Sequence, residues 1–167
     1  ATIIVEALND APTTTNDSVT LAEDNTVQID VLANDTDDAD TGNLRVASVG
    51  EASEGKVELV MGYVFYTPNA DYSGTDSFTY VAIDSEDATT IGTVNLTVNA
   101  QNDAPVTVND VVTTEENTLA LTIDVIGNDT DTESDTLTLL EVGSASHGVV
   151  AIVDGKVTYT PTADYSG

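Results

Sequence analysis

Residues 29–37 read IDVLANDTD, and residues 123–131 read IDVIGNDTD. Each stretch joins β-branched residues, which favour a strand, to an Asn-Asp pair, which favours a turn. Three further pairs of stretches recur around them: 9–12 with 102–105 (NDAP), 66–68 with 159–161 (YTP), and 71–74 with 164–167 (DYSG). These three pairs are offset by 93 residues and the first pair by 94, a difference that a small indel near Asn25 explains. The chain is therefore a tandem repeat with a period of 93 residues.

The repeat boundaries predict three parts. Residues 9–101 form one complete repeat, and residues 102–167 form a second repeat that lacks the counterpart of residues 75–101. Residues 1–8 align with residues 94–101, so they are expected to be the last strand of a preceding repeat. The sequence thus resembles a segment of a longer array, truncated before the last two strands of its second repeat.

Hydrophobic and polar residues alternate with a period of two in several segments, which indicates strands that have one buried face. About seven strands are expected in the first repeat, near 15–21, 26–33, 43–50, 55–61, 63–67, 76–84 and 90–99. Seven short strands in one repeat are typical of an immunoglobulin-like sandwich. The predicted fold class is therefore all-β, with tandem immunoglobulin-like Greek-key β-sandwiches. The spacing of Asp76 and Tyr80 also suggests a tyrosine corner.

The charge of the chain is strongly unbalanced. Thirty Asp and Glu residues face only three Lys and Arg residues, for a formal net charge of −27. Such a surface repels nucleic acids and anionic lipids, so we expect no nucleic-acid partner. No apolar run approaches the roughly 18 residues of a membrane span, so no membrane insertion is expected either. The absence of cysteine excludes disulfides and thiolate metal sites.

Acidic residues concentrate in the predicted turns. One cluster is Asp35, Asp37, Asp38 and Asp40, a second is Asp129, Asp131, Glu133 and Asp135, and a third is Asp84, Glu86 and Asp87. Oxygen ligands at this spacing suit Ca²⁺, whereas Mg²⁺ prefers stricter geometry and Zn²⁺ prefers Cys and His. The alternative interpretation is that acidic loops only keep the protein soluble. Recurrence of the clusters at equivalent repeat positions favours calcium.

The stretches at 22–26, 29–37, 66–68, 72–80 and 102–105 together resemble the bacterial Ig-like, cadherin-like tandem repeats of large surface adhesins, many of them in the RTX adhesin group. The resemblance covers essentially the whole chain. It implies a secreted or cell-surface location and a long stalk that projects a distal binding domain, supporting attachment and biofilm formation. The expected partners are neighbouring repeats of the same chain, with a surface or cell ligand bound through other domains.

The looser resemblance to cadherins implies where calcium would bind. Cadherins use an early Glu, an A-x-D-x-D loop, an A-x-D after the penultimate strand, and an acidic linker that ends in Ala-Pro. The matching residues here, and hence the predicted Ca²⁺ ligands, are Glu6, Asn9, Asp10, Glu23, Asp35, Asp37, Asp84, Asn102, Asp103, Glu116, Asp129 and Asp131. The resemblance implies that ligands from two repeats and their linker share ions, which stiffens each junction.

No catalytic constellation stands out. His147 is the single histidine, and its counterpart in the first repeat is Glu54. The acids lie in duplicated turns rather than in a predicted cleft, so we expect no enzyme. Two alternatives to a stalk module stay open: a module that itself binds a carbohydrate or protein, and a fibre subunit assembled by strand donation. An exposed aromatic or apolar patch would favour the binding module.

Overall fold

A computed structural model describes residues 2–3, 8–37 and 43–167, and these fall into two compact units, Ala1–Gln101 and Asn102–Gly167. The strands of the first unit are β1 (Asp17–Ala22), β2 (Val27–Ile29), β3 (Arg45–Val49), β4 (Gly55–Val60), β5 (Tyr63–Pro68), β6 (Gly74–Ile83) and β7 (Thr89–Asn99). Those of the second unit are β8 (Leu121–Ile123), β9 (Gly148–Val153) and β10 (Lys156–Pro161).

Two sheets make up the first unit. One has the order β1-β7-β6-β3, in which β1 runs parallel to β7 and the other pairs are antiparallel. The other has the order β2-β5-β4 and is antiparallel throughout. Side chains of both sheets share one buried core, so the unit is a β-sandwich. The predicted all-β, immunoglobulin-like fold is confirmed.

The core follows from the period-two pattern of β6 and β7. Phe78, Tyr80 and Ala82 on β6 are at most 2% exposed, while Ser77 and Thr79, which alternate with them, are exposed. On β7, Val94 and Leu96 are buried in the same way. The alternation arises because successive side chains of a strand point to opposite faces.

Two details differ from the sequence-based expectations. The strand expected over 26–33 ends at Ile29, because residues 31–34 form a turn, although Val31 in that turn is still core. The suggested tyrosine corner is wrong: the Tyr80 hydroxyl donates to Asp35 Oδ2 at 2.8 Å instead. Four residues along a strand span about 13 Å, which is too far for Tyr80 to reach Asp76.

The second unit repeats part of this framework. Its sheet has the order β8-β10-β9, matching β2-β5-β4 of the first unit. The hairpin turns correspond too: Asp154 and Gly155 both have positive φ, as do Met61 and Gly62. An isolated bridge pairs Val106 with Thr130, as another pairs Thr13 with Thr36 in the first unit.

Met61 is a poor residue for its turn. Its φ is 51°, in the left-handed region, and its side chain is 95% exposed. Asn and Asp tolerate this conformation better than Met, and the second repeat has Asp154 there. Replacing Met61 by Asn is therefore expected to raise the free energy of unfolding by about 0.5–1 kcal/mol. Urea denaturation measures the change, and Met61→Leu, which gains no turn preference, should leave stability unchanged.

Candidate metal centre

One group of polar residues gathers where the chain enters the first repeat. The Asn9 side-chain N–H donates to Asp84 Oδ2 at 2.9 Å, linking the entering chain to the residue that follows β6. Asp84 is fully buried, and its other oxygen accepts the backbone N–H groups of Glu86 and Ala88. The structure thus brings together two of the predicted ligands that lie 75 residues apart.

A polar atom in this group lacks a partner. The side-chain oxygen of Asn9 is buried and makes no hydrogen bond. A buried carbonyl oxygen without a donor is costly, and a bound cation would satisfy it. The Asn9 amide, by donating to the carboxylate, lowers the pKa of Asp84, with the Ala88 and Glu86 amides acting in the same direction and burial opposing them. The low pKa keeps Asp84 ionised, as a cation ligand must be.

Asp37 lies next to a bridge that positions this end of the sandwich. Thr36 exchanges backbone hydrogen bonds with Thr13, at 2.7 and 3.0 Å, and fixes the turn against the entering chain. Asp37 follows directly and is only 8% exposed. Buried carboxylates are rare unless they are paired or bind metal. Asp37 offers the same kind of oxygen donor as Asn9 and Asp84, and oxygen donors suit Ca²⁺ better than Zn²⁺.

Both carboxylate oxygens of Asp35 accept hydrogen bonds from residues of the first repeat. Its Oδ1 accepts the Thr15 backbone N–H at 2.9 Å, and its Oδ2 accepts the Tyr80 hydroxyl at 2.8 Å. The residue is 7% exposed. These bonds tie the entering chain and β6 to the turn, which is a structural role. The equivalent Asp129 accepts the Val108 backbone N–H at 2.8 Å, so the tie recurs in the second repeat.

Asp17 is a member of this region that sequence reasoning missed. It begins β1, and its Oδ2 is buried without a hydrogen bond. Burial, followed by the charge of Asp35, raises the pKa of Asp17 to about 6, although a hydrogen bond from Asn34 partly offsets this. No spacing in the sequence predicts that the charge of Asp35 acts on Asp17, because it is the fold that places β1 near the segment containing Asp35.

The raised pKa of Asp17 predicts how stability depends on pH. The folded state holds the Asp17 proton up to about pH 6, whereas the unfolded chain releases it near the ordinary value of 3.8. The stabilising contribution of protonated Asp17 to folding is therefore fully present below pH 3.8 and is lost as the pH rises through about 6. Asp17→Asn should match the wild type near pH 4 and be more stable by about 1 kcal/mol at pH 7, because water screens part of the effect. Chemical denaturation in EDTA across this range measures the difference, and parallel curves would contradict it.

The other end of the first repeat contains Glu23. Its side chain is only 2% exposed, and its Oε1 accepts the backbone N–H of Gln101. Its own backbone N–H donates to Asn99 O at 2.9 Å. These two hydrogen bonds of Glu23 hold the end of β7 and the residues that follow it in place. Beside it, Asp24 and Asp71 both have positive φ, and the Asp71 N–H donates to Asp24 Oδ1 at 3.4 Å.

The remaining predicted ligands are more exposed. Asn102 donates to the backbone oxygen of Asp103 at 2.8 Å, and the Asp103 N–H donates to Glu133 Oε2 at 3.0 Å. Asp131 Oδ1 accepts the N–H groups of Glu133 and Asp135. Asp10 and Glu116 are exposed, and Glu6 lies outside the described residues, as do Asp38 and Asp40. Each of these calcium assignments stays a prediction.

Each of the two repeats matches a known protein family. A family model described as a bacterial Ig domain matches residues 9–97 and again residues 102–167. No curated protein matches the sequence significantly. Within the part of the chain that the structure describes, no helix has the length and apolarity needed to cross a membrane.

The similar solved structures include cadherin ectodomains. The protocadherin GammaB4 extracellular domain is 19% identical with a TM-score of 0.49, covering 96% of this chain and 28% of that one. Protocadherin Gamma C5 EC1-3 is 13% identical with a TM-score of 0.46, covering 94% and 59%. The human Desmocollin-1 ectodomain is 12% identical with a TM-score of 0.44, covering 97% and 33%. This chain therefore spans less than two thirds of each of these longer proteins.

Proposed function

Because this chain belongs to the bacterial Ig domain family, we propose that it is a non-enzymatic extension module of a bacterial adhesin, located outside the cell and stiffened by calcium. In this role the repeats act as spacers in a stalk, and other domains contact the cell or surface to which the bacterium attaches in a biofilm. The observation that carries the calcium part is the buried Asn9 oxygen, which has no hydrogen bond and lies beside the buried Asp84.

The chemistry of the cation follows from the residues that would hold it. Asn9 lies in the segment that enters the repeat, whereas Asp84 and Asp37 belong to the sandwich. A cation bound by all three would fix the entering segment to the sandwich. Such a cation supplies charge neutralisation, which matters in a chain of net charge −27. Without it, the carboxylates repel one another and the entering segment is less constrained.

The same logic extends the proposal to the linker between the repeats. Asn102 and Asp103 stand at the positions of Asn9 and Asp10, and Asp129 and Asp131 stand at those of Asp35 and Asp37. Glu23 accepts a hydrogen bond from the N–H of Gln101, the residue directly before this linker. Equivalent residues at successive junctions would give the stalk one cation-binding arrangement per repeat.

The exposed side chains Val60, Met61 and Tyr63 bear on the alternative of a binding module. They occupy one hairpin tip, and the corresponding tip of the second repeat has Val153, Asp154 and Lys156. This hairpin tip is a small apolar patch, and the second repeat also exposes apolar side chains, among them Val111, Leu119 and Leu140. We favour the spacer because Asn9 and Asp84 join the entering segment to the sandwich.

Thermal unfolding of the whole chain tests the calcium proposal. We expect the melting temperature to rise when Ca²⁺ replaces EDTA, because a ligand that binds only the folded state stabilises it, by about 2.7 kcal/mol at a hundredfold excess over the dissociation constant. Mg²⁺ at the same concentration should have a smaller effect, since it dehydrates reluctantly. Identical melting curves in Ca²⁺ and EDTA would overturn the proposal.

A further inference from the structure

Strand β9 is an open sheet edge. In the residues that the structure describes, β9 pairs with β10 alone. Alternate residues of an antiparallel edge strand direct their backbone N–H and C=O groups away from the neighbouring strand. These groups are free to pair with another extended chain, which makes an unprotected edge a site of strand addition.

The sequence of β9 offers no protection against such pairing. It reads GVVAIV, with neither a charge nor a proline. Val149 is 69% exposed and Val153 is 50% exposed, and Ala151 between them is exposed as well. Short uncharged segments rich in β-branched residues are those that pair most readily. In a chain of net charge −27, an uncharged edge is where like-charge repulsion opposes contact least.

The first repeat supplies an internal control. Its equivalent edge strand, β4, reads GKVELV and pairs with β5 in the same hairpin. Lys56 and Glu58 stand at the positions of Val149 and Ala151, and they form an exposed ion pair at 2.7 Å. Charged side chains on an edge strand block pairing. The fold therefore accepts charges at these positions, so folding does not require the apolar residues of β9.

We propose that β9 is an interaction surface that pairs antiparallel with β9 of a second copy of this chain. A two-fold axis through Ala151 would set Val149 opposite Val153 of the second copy and Ala151 opposite its own equivalent. Large side chains then face large ones and small face small on the outer side, while Val150 faces Ile152 on the inner side. Cross-strand pairs of β-branched residues stabilise a sheet. The two three-stranded sheets become one sheet of six strands.

Sedimentation equilibrium on the whole chain in EDTA tests the pairing. We expect the average mass to approach twice the monomer value as the concentration rises from micromolar to submillimolar. Added salt should strengthen the association, because it screens the repulsion between the two acidic copies. A chain that stays monomeric over the whole range, with and without salt, would overturn the proposal.

Placing the charged residues of β4 at the equivalent positions of β9 tests whether β9 is the contact surface of the dimer. The double variant Val149→Lys with Ala151→Glu copies Lys56 and Glu58. It should weaken dimerisation by about tenfold or more, since Glu would then oppose Glu across the axis. Circular dichroism confirms that the variant is folded. A folded variant that dimerises as the wild type does would show that β9 is not the contact.

Cross-linking tests the register independently and needs no change of charge on the strand. The chain has no cysteine, so Ala151→Cys introduces a single thiol. Directly opposed residues in an antiparallel pair have Cα atoms about 4.5–5.5 Å apart, within the range that a disulfide spans. Under mild oxidation this variant should form a covalent dimer much faster than Glu58→Cys, the matched variant on β4. Equal rates would contradict the pairing.

Discussion

Gly92→Ala is expected to destabilise the first repeat by about 3 kcal/mol. Gly92 lies opposite Tyr80 in the β6–β7 pair, and the Tyr80 ring packs directly over it. A Cβ at this position would overlap the ring. Tyr80 cannot move aside freely, because it is fully buried and its hydroxyl is held by Asp35.

A double-mutant cycle separates this overlap from a general effect of alanine in a strand. Tyr80→Ala removes the ring and is itself costly, but adding Gly92→Ala to it should cost little more, because the overlap is gone. Thr93→Ala, on the outward face next to Gly92, is the control and should change stability only slightly. Urea denaturation measures the wild type and the four variants. Additive losses from Tyr80→Ala and Gly92→Ala would contradict the packing argument.

Asp84→Asn is expected to abolish the part of the calcium-dependent rise in melting temperature that comes from a cation bound at Asn9 and Asp84. The amide keeps the shape of the side chain and an oxygen that can accept the Glu86 and Ala88 N–H groups. It removes the negative charge, which a hard cation requires most from its buried ligand. Melting temperatures with and without Ca²⁺, together with calorimetric titration of the folded variant, measure the loss.

Two matched variants serve as controls for the Asp84→Asn experiment. Asp87→Asn changes an exposed acid in the same turn, which pairs with Arg45 at 3.0 Å, and should leave the calcium response intact. Asp35→Asn should also keep most of the response, because Asp35 acts through its bonds to Thr15 and Tyr80 rather than as the principal ligand. If all three variants lose the response equally, net charge and not a defined site governs calcium binding.

Much of the sandwich could be predicted because its signals are local. The alternation in β6 and β7 shows directly which side chains are buried, since the period of a strand is fixed by backbone geometry. The repeat of residues 29–37 at 123–131 shows that the same framework is used twice. The strand after residue 26 was predicted too long because Val31 is apolar and β-branched, although its backbone is in a turn. Burial alone does not distinguish a strand from a buried turn.

The sequence supplied candidate calcium ligands, which stay predictions, but not how those residues are arranged. The resemblance to cadherins selected Asn9 and Asp84, which the structure joins by a hydrogen bond. It selected Asp35 on the same grounds, and the structure adds that this carboxylate accepts the Tyr80 hydroxyl, while its binding of calcium stays a prediction. It gave no indication of Asp17, whose raised pKa depends on burial and on a neighbour that is distant in sequence.

The sequence by itself determined the period of the array, the all-β class and the polyanionic surface, because repetition, alternation and charge are properties of neighbouring residues along the chain. Only the tertiary structure decided which carboxylates are buried, which of them face a polar partner, and which strand lies unprotected at a sheet edge. Those properties depend on contacts between residues far apart in sequence, such as Asn9 with Asp84, and the energy of a buried charge is set by the atoms that surround it.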